Sequence, residues 1–114
     1  GYGGPCFPRD NRAFSLFADD LKIDAVISKA SDTANKLHLH YQIDYFIKNN
    51  DISKQVILTE LSFKPGTTII EESQKLAFAV ELAKKGYKIV IKDTKETINK
   101  LRLKYDDLFD YIKV

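Results

Sequence analysis

Methionine is absent from the 114 residues and cysteine occurs once. A single thiol excludes an internal disulfide, so the chain reads as cytoplasmic rather than as a small cross-linked secreted domain. No apolar run approaches the roughly 20 residues that span a bilayer, and no basic segment leads into an apolar one as in a secretory leader. Neither sign of charge dominates. The 18 Lys+Arg stand against 16 Asp+Glu, a formal net charge of +2, which is not the concentrated basic face that nucleic acid requires. Membrane and nucleic acid are therefore not expected partners. The lack of methionine, with a start inside a glycine-rich turn, leads us to expect a piece cut from a longer protein.

What is present is a globular composition, 44% hydrophobic and 30% charged, in a length that suits one small domain or part of a larger one. The punctuating residues are crowded at one end. GYGGPCFPRD, residues 1–10, holds three of the five glycines, two of the three prolines and the only cysteine. Glycine lets such a turn bend sharply and proline stiffens it, a setting that holds a thiol out instead of burying it. Asp10 is the expected N-cap of a first helix, carried by Ala13, Phe14, Phe17, Ala18 and Leu21 and kept short by the acids Asp19 and Asp20 near its end.

The next segment is longer. Ile23, Ile27, Ala30, Ala34, Leu37, Tyr41 and Tyr45 step by fours and threes, which is one apolar stripe along a helix. About 25 residues give a rod of roughly 37 Å, a length that suits a spine between domains or a subunit contact; a long core helix is the alternative. After Asn49-Asn50-Asp51 the periodicity changes. Gln55–Ser62 reads as a buried strand entering the Lys64-Pro65-Gly66 turn. A helix follows from Glu71-Glu72-Ser73 to Lys84-Lys85-Gly86, with glycine as its left-handed cap. Tyr87–Ile91 is a second strand, and Asp93 or Thr94 caps a third helix. The tail after Tyr105 leaves room for one more strand or a terminal helix. This is the pattern of a parallel βαβ unit. The fold class is α/β: a helical central segment with a long connecting helix, residues 1–50, followed by a partial Rossmann-like βαβ domain, residues 51–114.

Chemistry is sought first at Cys6. A nearby cation and a helix N-terminus favour the thiolate, and Arg9 and the first helix supply both, while Asp10 opposes it and suits a group that orients or deprotonates water. Thiol plus carboxylate points to covalent catalysis through a thioester; a merely exposed or packed thiol is the other reading. His38 and His40, two apart in the long helix, face different ways, whereas a metal pair on a helix needs a spacing of three or four. No metal is expected. The loop FKPGTT is neither G-x-G-x-x-G nor a Walker loop. It does lie at the carboxyl end of a strand, where open α/β sheets bind ligands, and Lys64 with the N–H groups near Thr67 and Thr68 could meet an anion. Asp93, ending the second strand, stands where a ribose-binding acid is often found.

Together the two turns resemble a known family. GYGGPCFPRD is similar to the G-[FY]-G-G-x-C-[FLI]-x-K-D turn of the UDP-glucose, GDP-mannose and UDP-N-acetylhexosamine dehydrogenases, and LSFKPGTTIIEES is similar to their L-x-F-K-P-G-T-D-D-x-R-E-S loop. The order and separation of the two also match. The resemblance implies an NAD-dependent oxidation of the sugar C6 alcohol to a carboxylate, in which a cysteine adds to the aldehyde, the thiohemiacetal is oxidised by a second NAD and the thioester is hydrolysed. On that basis Cys6 is the nucleophile and Asp10 the acid assisting water and proton transfer. Tyr2, Gly3 and Gly4 form the turn approaching the sugar, and Phe63 and Lys64 contact the nucleotide. Cys6 and Arg9 border the cofactor, and the long helix builds a homodimer.

Two departures stand out. Arg9 replaces the family lysine, keeping charge but changing its geometry. Glu71 replaces an arginine that approaches NAD, a reversal that over a few ångströms of partly buried space costs on the order of several kcal/mol. Neither the N-terminal G-x-G-x-x-G domain nor the upstream segment with the family's catalytic lysine and asparagine is in these 114 residues, so the chain by itself is expected not to turn over. A non-catalytic nucleotide-sugar-binding or dimerisation module is the competing expectation.

Overall fold

The computed structural model describes all residues, Gly1–Val114. Two helices come first, α1 (Phe7–Asp20) and α2 (Val26–Asn49), then β1 (Val56–Thr59), α3 (Gln74–Lys84), β2 (Ile89–Asp93), α4 (Lys95–Tyr105), a 3-10 turn (Asp106–Leu108) and β3 (Asp110–Lys113). The tail is thus the further strand. All three strands are parallel in the order β1-β2-β3, with Val56 opposite Ile89 and Val90 opposite Asp110.

Three local expectations are corrected. Asp10 does not cap α1. Cys6 occupies the cap position, Phe7 and Pro8 form the first helical residues, and the Asp10 amide already donates to the Cys6 carbonyl at 2.8 Å. Proline tolerates the first turn because the N–H it lacks would have no helical partner there. Nor do Asp19 and Asp20 shorten the helix. It runs to Asp20, and the Lys29 ammonium, 2.7 Å from Asp19, offsets the acid at the negative helix end. The long helix starts at Val26 rather than Ile23, after Lys22 turns the chain with a φ of 57°.

The strands also shift, to Val56–Thr59 and Ile89–Asp93. β2 therefore runs past its β-branched centre to Asp93. Ser73 caps α3 by accepting from the Leu76 amide, and Thr94 caps α4 by accepting from Thr97. Gly86 closes α3 with a φ of 98°. The core sits on β2. Ile89 and Ile91 pack with Leu76, Ala79 and Leu82 of α3 and with Leu101 of α4, and Ile43 from the C-terminal half of α2 joins them. Phe46 anchors that half through edge-on contacts with Phe78 and Tyr87, and the Tyr87 hydroxyl donates to the Asn50 carbonyl.

The stripe on α2 does not face this core. Ile27, Leu37, Tyr41 and Tyr45 are exposed, Ile27 at 82%. His38 and His40 are exposed on the same helix.

Candidate functional site

The opening turn and the second loop, sixty residues apart in sequence, touch. Gly4 adopts a φ of 97°, and a Cβ on it would come within 2.7 Å of the Phe63 ring. Gly3 abuts the other end of the same loop, where a Cβ would stand 2.0 Å from the Glu72 carbonyl oxygen. Only glycine permits either approach. Tyr2 fixes the turn from a third side: its amide donates to Asn35 Oδ1 at 2.8 Å, and Asn35 Nδ2 donates back to its carbonyl at 2.9 Å. The Tyr2 ring packs edge-on against Phe7, centroids 4.7 Å apart.

Cys6 is exposed at the head of α1. Arg9 and Asp10 follow at three and four residues, on the same side of the helix start. Arg9 Nε donates to Asp10 Oδ1 at 2.9 Å, with both side chains well exposed. That hydrogen bond first, then the charges of Asp10 and of a Cys6 thiolate, hold the Arg9 pKa above its ordinary value. The turn thus keeps a cation beside the sulfur at any accessible pH.

Arg12, one turn further, links three elements. Its Nη1 donates to Glu72 Oε1 at 2.7 Å and its Nε to Asp32 Oδ1 on α2 at 3.0 Å. Glu72 reaches both Arg12 and Gly3 because it holds a left-handed backbone, φ 52°, an uncommon state for a non-glycine residue. Arg12, Glu72 and Asn35 had no role in the sequence reading. Glu72 lay in the second motif, but its partner on α1 is invisible without the fold. Asn35 carried only a weak signal, a polar residue of low helix propensity in mid-helix; its burial, which obliges it to bond something, appears only in the fold.

Lys64 lies over the Phe63 ring, 5.5 Å from its centroid, and makes no ion pair with a carboxylate. Beside it a cleft of about 260 Å³ opens at the carboxyl ends of β1 and β2, between Glu60, Gly66, Thr67, Asp93 and Thr94. One expectation fails here. Asp93 is not a free ribose acceptor, because Oδ2 accepts from the Leu61 amide at 2.8 Å and Oδ1 from the Thr94 amide at 2.7 Å. This buried carboxylate ties the ends of two strands together. In the 67–68 segment the hydroxyls are engaged, Thr67 accepting from the Ile69 amide and Thr68 donating to Glu96 and accepting from Lys100, while the Thr67 and Thr68 amides meet no protein acceptor. Glu71 is exposed, as are Arg9 and Lys64. The structure therefore brings Tyr2, Gly3, Gly4, Cys6, Phe63 and Lys64 into one region, with Arg9 and Asp10 on its α1 flank. No trio of His, Cys, Asp or Glu side chains is placed to hold a metal ion.

This geometry is that of a turn presenting a thiol beside a cation, closed by the strand-end loop of an α/β unit. No family model matches the chain. Relatives do. It is 34% identical over 93 residues to the GDP-mannose 6-dehydrogenase of Azotobacter vinelandii, covering 82% of this chain and 21% of that enzyme. Against the UDP-glucose 6-dehydrogenase of Pseudomonas aeruginosa it is 32% identical over 92 residues, 78% of this chain and 20% of that enzyme. A solved UDP-glucose dehydrogenase from the hyperthermophilic archaeon Pyrobaculum islandicum superposes with a TM-score of 0.90 at 28% identity, over 100% of this chain and 27% of that one. The GDP-mannose dehydrogenase of Pseudomonas aeruginosa, solved as a ternary complex, gives 0.82 at 26% identity, over 100% of this chain and 28% of its own. The chain belongs to the family of nucleotide-sugar 6-dehydrogenases, which are oxidoreductases. It spans about a fifth of the length of the curated relatives it matches.

Proposed function

We propose that the chain is the part of an NAD-dependent nucleotide-sugar 6-dehydrogenase that carries the nucleophilic cysteine and one wall of the substrate site. The observation that carries this reading is the meeting of the two loops. Gly4, two residues before Cys6, lies against the ring of Phe63, one residue before Lys64. A sugar nucleotide with its phosphates near Lys64 and its base or ribose near Phe63 would extend its sugar along Tyr2–Gly4 toward the sulfur. Residues 1–50 then belong to a central helical domain and residues 51–114 to a partial C-terminal nucleotide-sugar-binding domain.

In this reading the Cys6 thiolate adds to the C6 aldehyde carbon, the carbonyl π electrons moving to oxygen to give a thiohemiacetal. Once that adduct has been oxidised to a thioester, water adds to the acyl carbon and the C–S bond breaks, releasing the carboxylate and restoring the thiol. Asp10 orients that water and takes its proton; Arg9 occupies one of its oxygens and leaves the other open. NAD, when bound, accepts the hydrides. The residues of this chain do not fit a dinucleotide site of their own. Arg9 is engaged by Asp10, and Glu71 adds negative charge where a pyrophosphate would need the opposite. The 114 residues alone are accordingly inactive. The exposed stripe of α2 suits a homodimer contact, and a lone thiol with no disulfide suits the cytoplasm.

Glu71 also favours the second reading, a module that binds nucleotide sugars without chemistry. One experiment separates the two. Iodoacetamide alkylation of Cys6 is followed with and without UDP-glucose or GDP-mannose. The catalytic reading expects alkylation faster than that of a free thiol, slowed by saturating nucleotide sugar in the native chain but not after Phe63→Ala or Lys64→Ala. Sugar binding with an ordinary, unprotected thiol supports the module instead, and no protection with no binding refutes both. NADH formation by the chain with either sugar would overturn its inactivity alone.

A further inference from the structure

The two walls of the candidate site are built into different halves of the chain. The opening turn is bound to α2 through the paired hydrogen bonds of Tyr2 and Asn35. Behind it, Asn11 Nδ2 donates to the Ser28 carbonyl at 2.9 Å, and the Ser15 and Ser28 hydroxyls pair at 2.7 Å. The 61–73 loop is bound to the sheet instead. Its Leu61 amide donates to Asp93, and Thr68 pairs with Glu96 and Lys100 on α4. The loop also closes on itself, the Phe63 amide donating to the Ile69 carbonyl at 2.9 Å.

Where the walls meet, Gly4 stands on the Phe63 ring and Gly3 on the Glu72 carbonyl, with no hydrogen bond between them. One hydrogen bond does cross. Arg12 Nη1 to Glu72 Oε1, at 2.7 Å, is the only one that joins residues 1–20 to residues 51–114. The guanidinium is anchored before it reaches over, since its Nε donates to Asp32 Oδ1 at 3.0 Å and Lys36 holds the other Asp32 oxygen at 2.8 Å. The Glu72 hydrogen bond is the largest influence on the Arg12 pKa, which stands above its ordinary value. Glu72 meets Arg12 from a left-handed backbone, φ 52°, a state that costs a non-glycine residue free energy and needs its surroundings to hold it.

We propose that Arg12 is a positioning residue of this site: through Glu72 it fixes the gap between the Cys6 turn and the Phe63–Lys64 wall, and so the reach from a bound nucleotide to the sulfur. It acts through the loop and touches none of the reacting atoms. That the gap serves a sugar nucleotide rests on the proposed function; that Arg12 fixes the gap does not. Arginine suits the task because its planar fork offers Nε to one acid and Nη1 to another. Lysine would keep the charge without the fork.

The test reads the gap without ligand, by NMR of the 114-residue chain. One α proton of Gly4 faces the Phe63 ring, so the ring current sets its chemical shift, and Phe63→Ala supplies the value with the ring gone. Arg12→Gln should carry the shift toward that value and Arg12→Lys less far. Ile98→Val, which trims the buried side of α4 and also lowers stability, should leave it in place. In the same variants Cys6 is alkylated with iodoacetamide under increasing GDP-mannose or UDP-glucose. The half-protecting concentration should rise about fivefold for Arg12→Gln, the scale of an exposed ion pair, and less for Arg12→Lys. Protection missing from the native chain would defeat the sugar-nucleotide reading alone, because the Gly4 shift decides the positioning by itself. An unmoved Gly4 shift in Arg12→Gln, equal movement in Ile98→Val, or a moved shift with unchanged half-protection would overturn the proposal.

Discussion

Gly3→Ala isolates the contact between the opening turn and the second loop. The new Cβ would start 2.0 Å from the Glu72 carbonyl oxygen, a backbone atom. Carbon and carbonyl oxygen tolerate about 3.3 Å at closest, so one loop must retreat by more than 1 Å. No side chain can rotate away to absorb that movement, and Glu72 is held further by Arg12. Overpacking of this kind costs about 2–3 kcal/mol, or a fall in melting temperature of roughly 10 °C for a domain of this size. Gly66→Ala is the control. Its φ of 78° is left-handed, but a Cβ there meets nothing within 4 Å, so it should cost only the backbone strain of about 1–2 kcal/mol. Urea unfolding gives both values, and Cys6 alkylation of the folded variants reports the turn. Gly3→Ala should change that rate and Gly66→Ala should not. A Gly3→Ala chain within about 0.5 kcal/mol of the native one, with unaltered alkylation, would refute the close approach.

Further expectations concern polar ties. Asp93→Asn keeps one acceptor for two backbone donors and turns an N–H₂ toward the other, so it should lose about 1–3 kcal/mol in urea unfolding. Ser73→Ala removes the cap of α3 and should cost about 1 kcal/mol by the same measure. Arg12→Gln breaks two ion pairs, but the guanidinium is 39% exposed and solvent screens it, so stability should drop by only about 1 kcal/mol. The Lys36 hydrogen bond first, with help from Arg12, lowers the Asp32 pKa. A depressed carboxylate stabilises the fold above its unfolded pKa, near 3.9, and loses that contribution as pH falls through its lower folded value. Lys36→Gln should therefore move the acid-unfolding midpoint to higher pH, and an unchanged midpoint would count against the pairing.

Local physics was legible in the sequence wherever a few adjacent residues settle it. The βαβ order, the glycine cap at Gly86, the Thr94 cap and the turn that exposes Cys6 all follow from spacing and from the conformational limits of glycine and proline. The first cap was misread because Asp10 and Cys6 compete for one role. Proline at position 8 favours a helix start at Phe7, which draws Asp10 inside, and Asp19 is tolerated only because Lys29 arrives from another helix. The stripe of α2 looked the same whether it covers a core or stays bare. Which applies depends on where the core lies, and the core takes in only Ile43 and its neighbours near the C-terminal end of α2.

The sequence by itself determined the kind of elements, their order and the side-chain types each loop presents, because propensity, capping and side-chain identity act within a few residues. Only the tertiary structure decided what those loops do to one another. It set Gly3 and Gly4 against Glu72 and Phe63, gave Arg12 its two acids and spent both oxygens of Asp93 on strand ends. Each depends on a distance between segments remote in the chain, and such distances are fixed by packing.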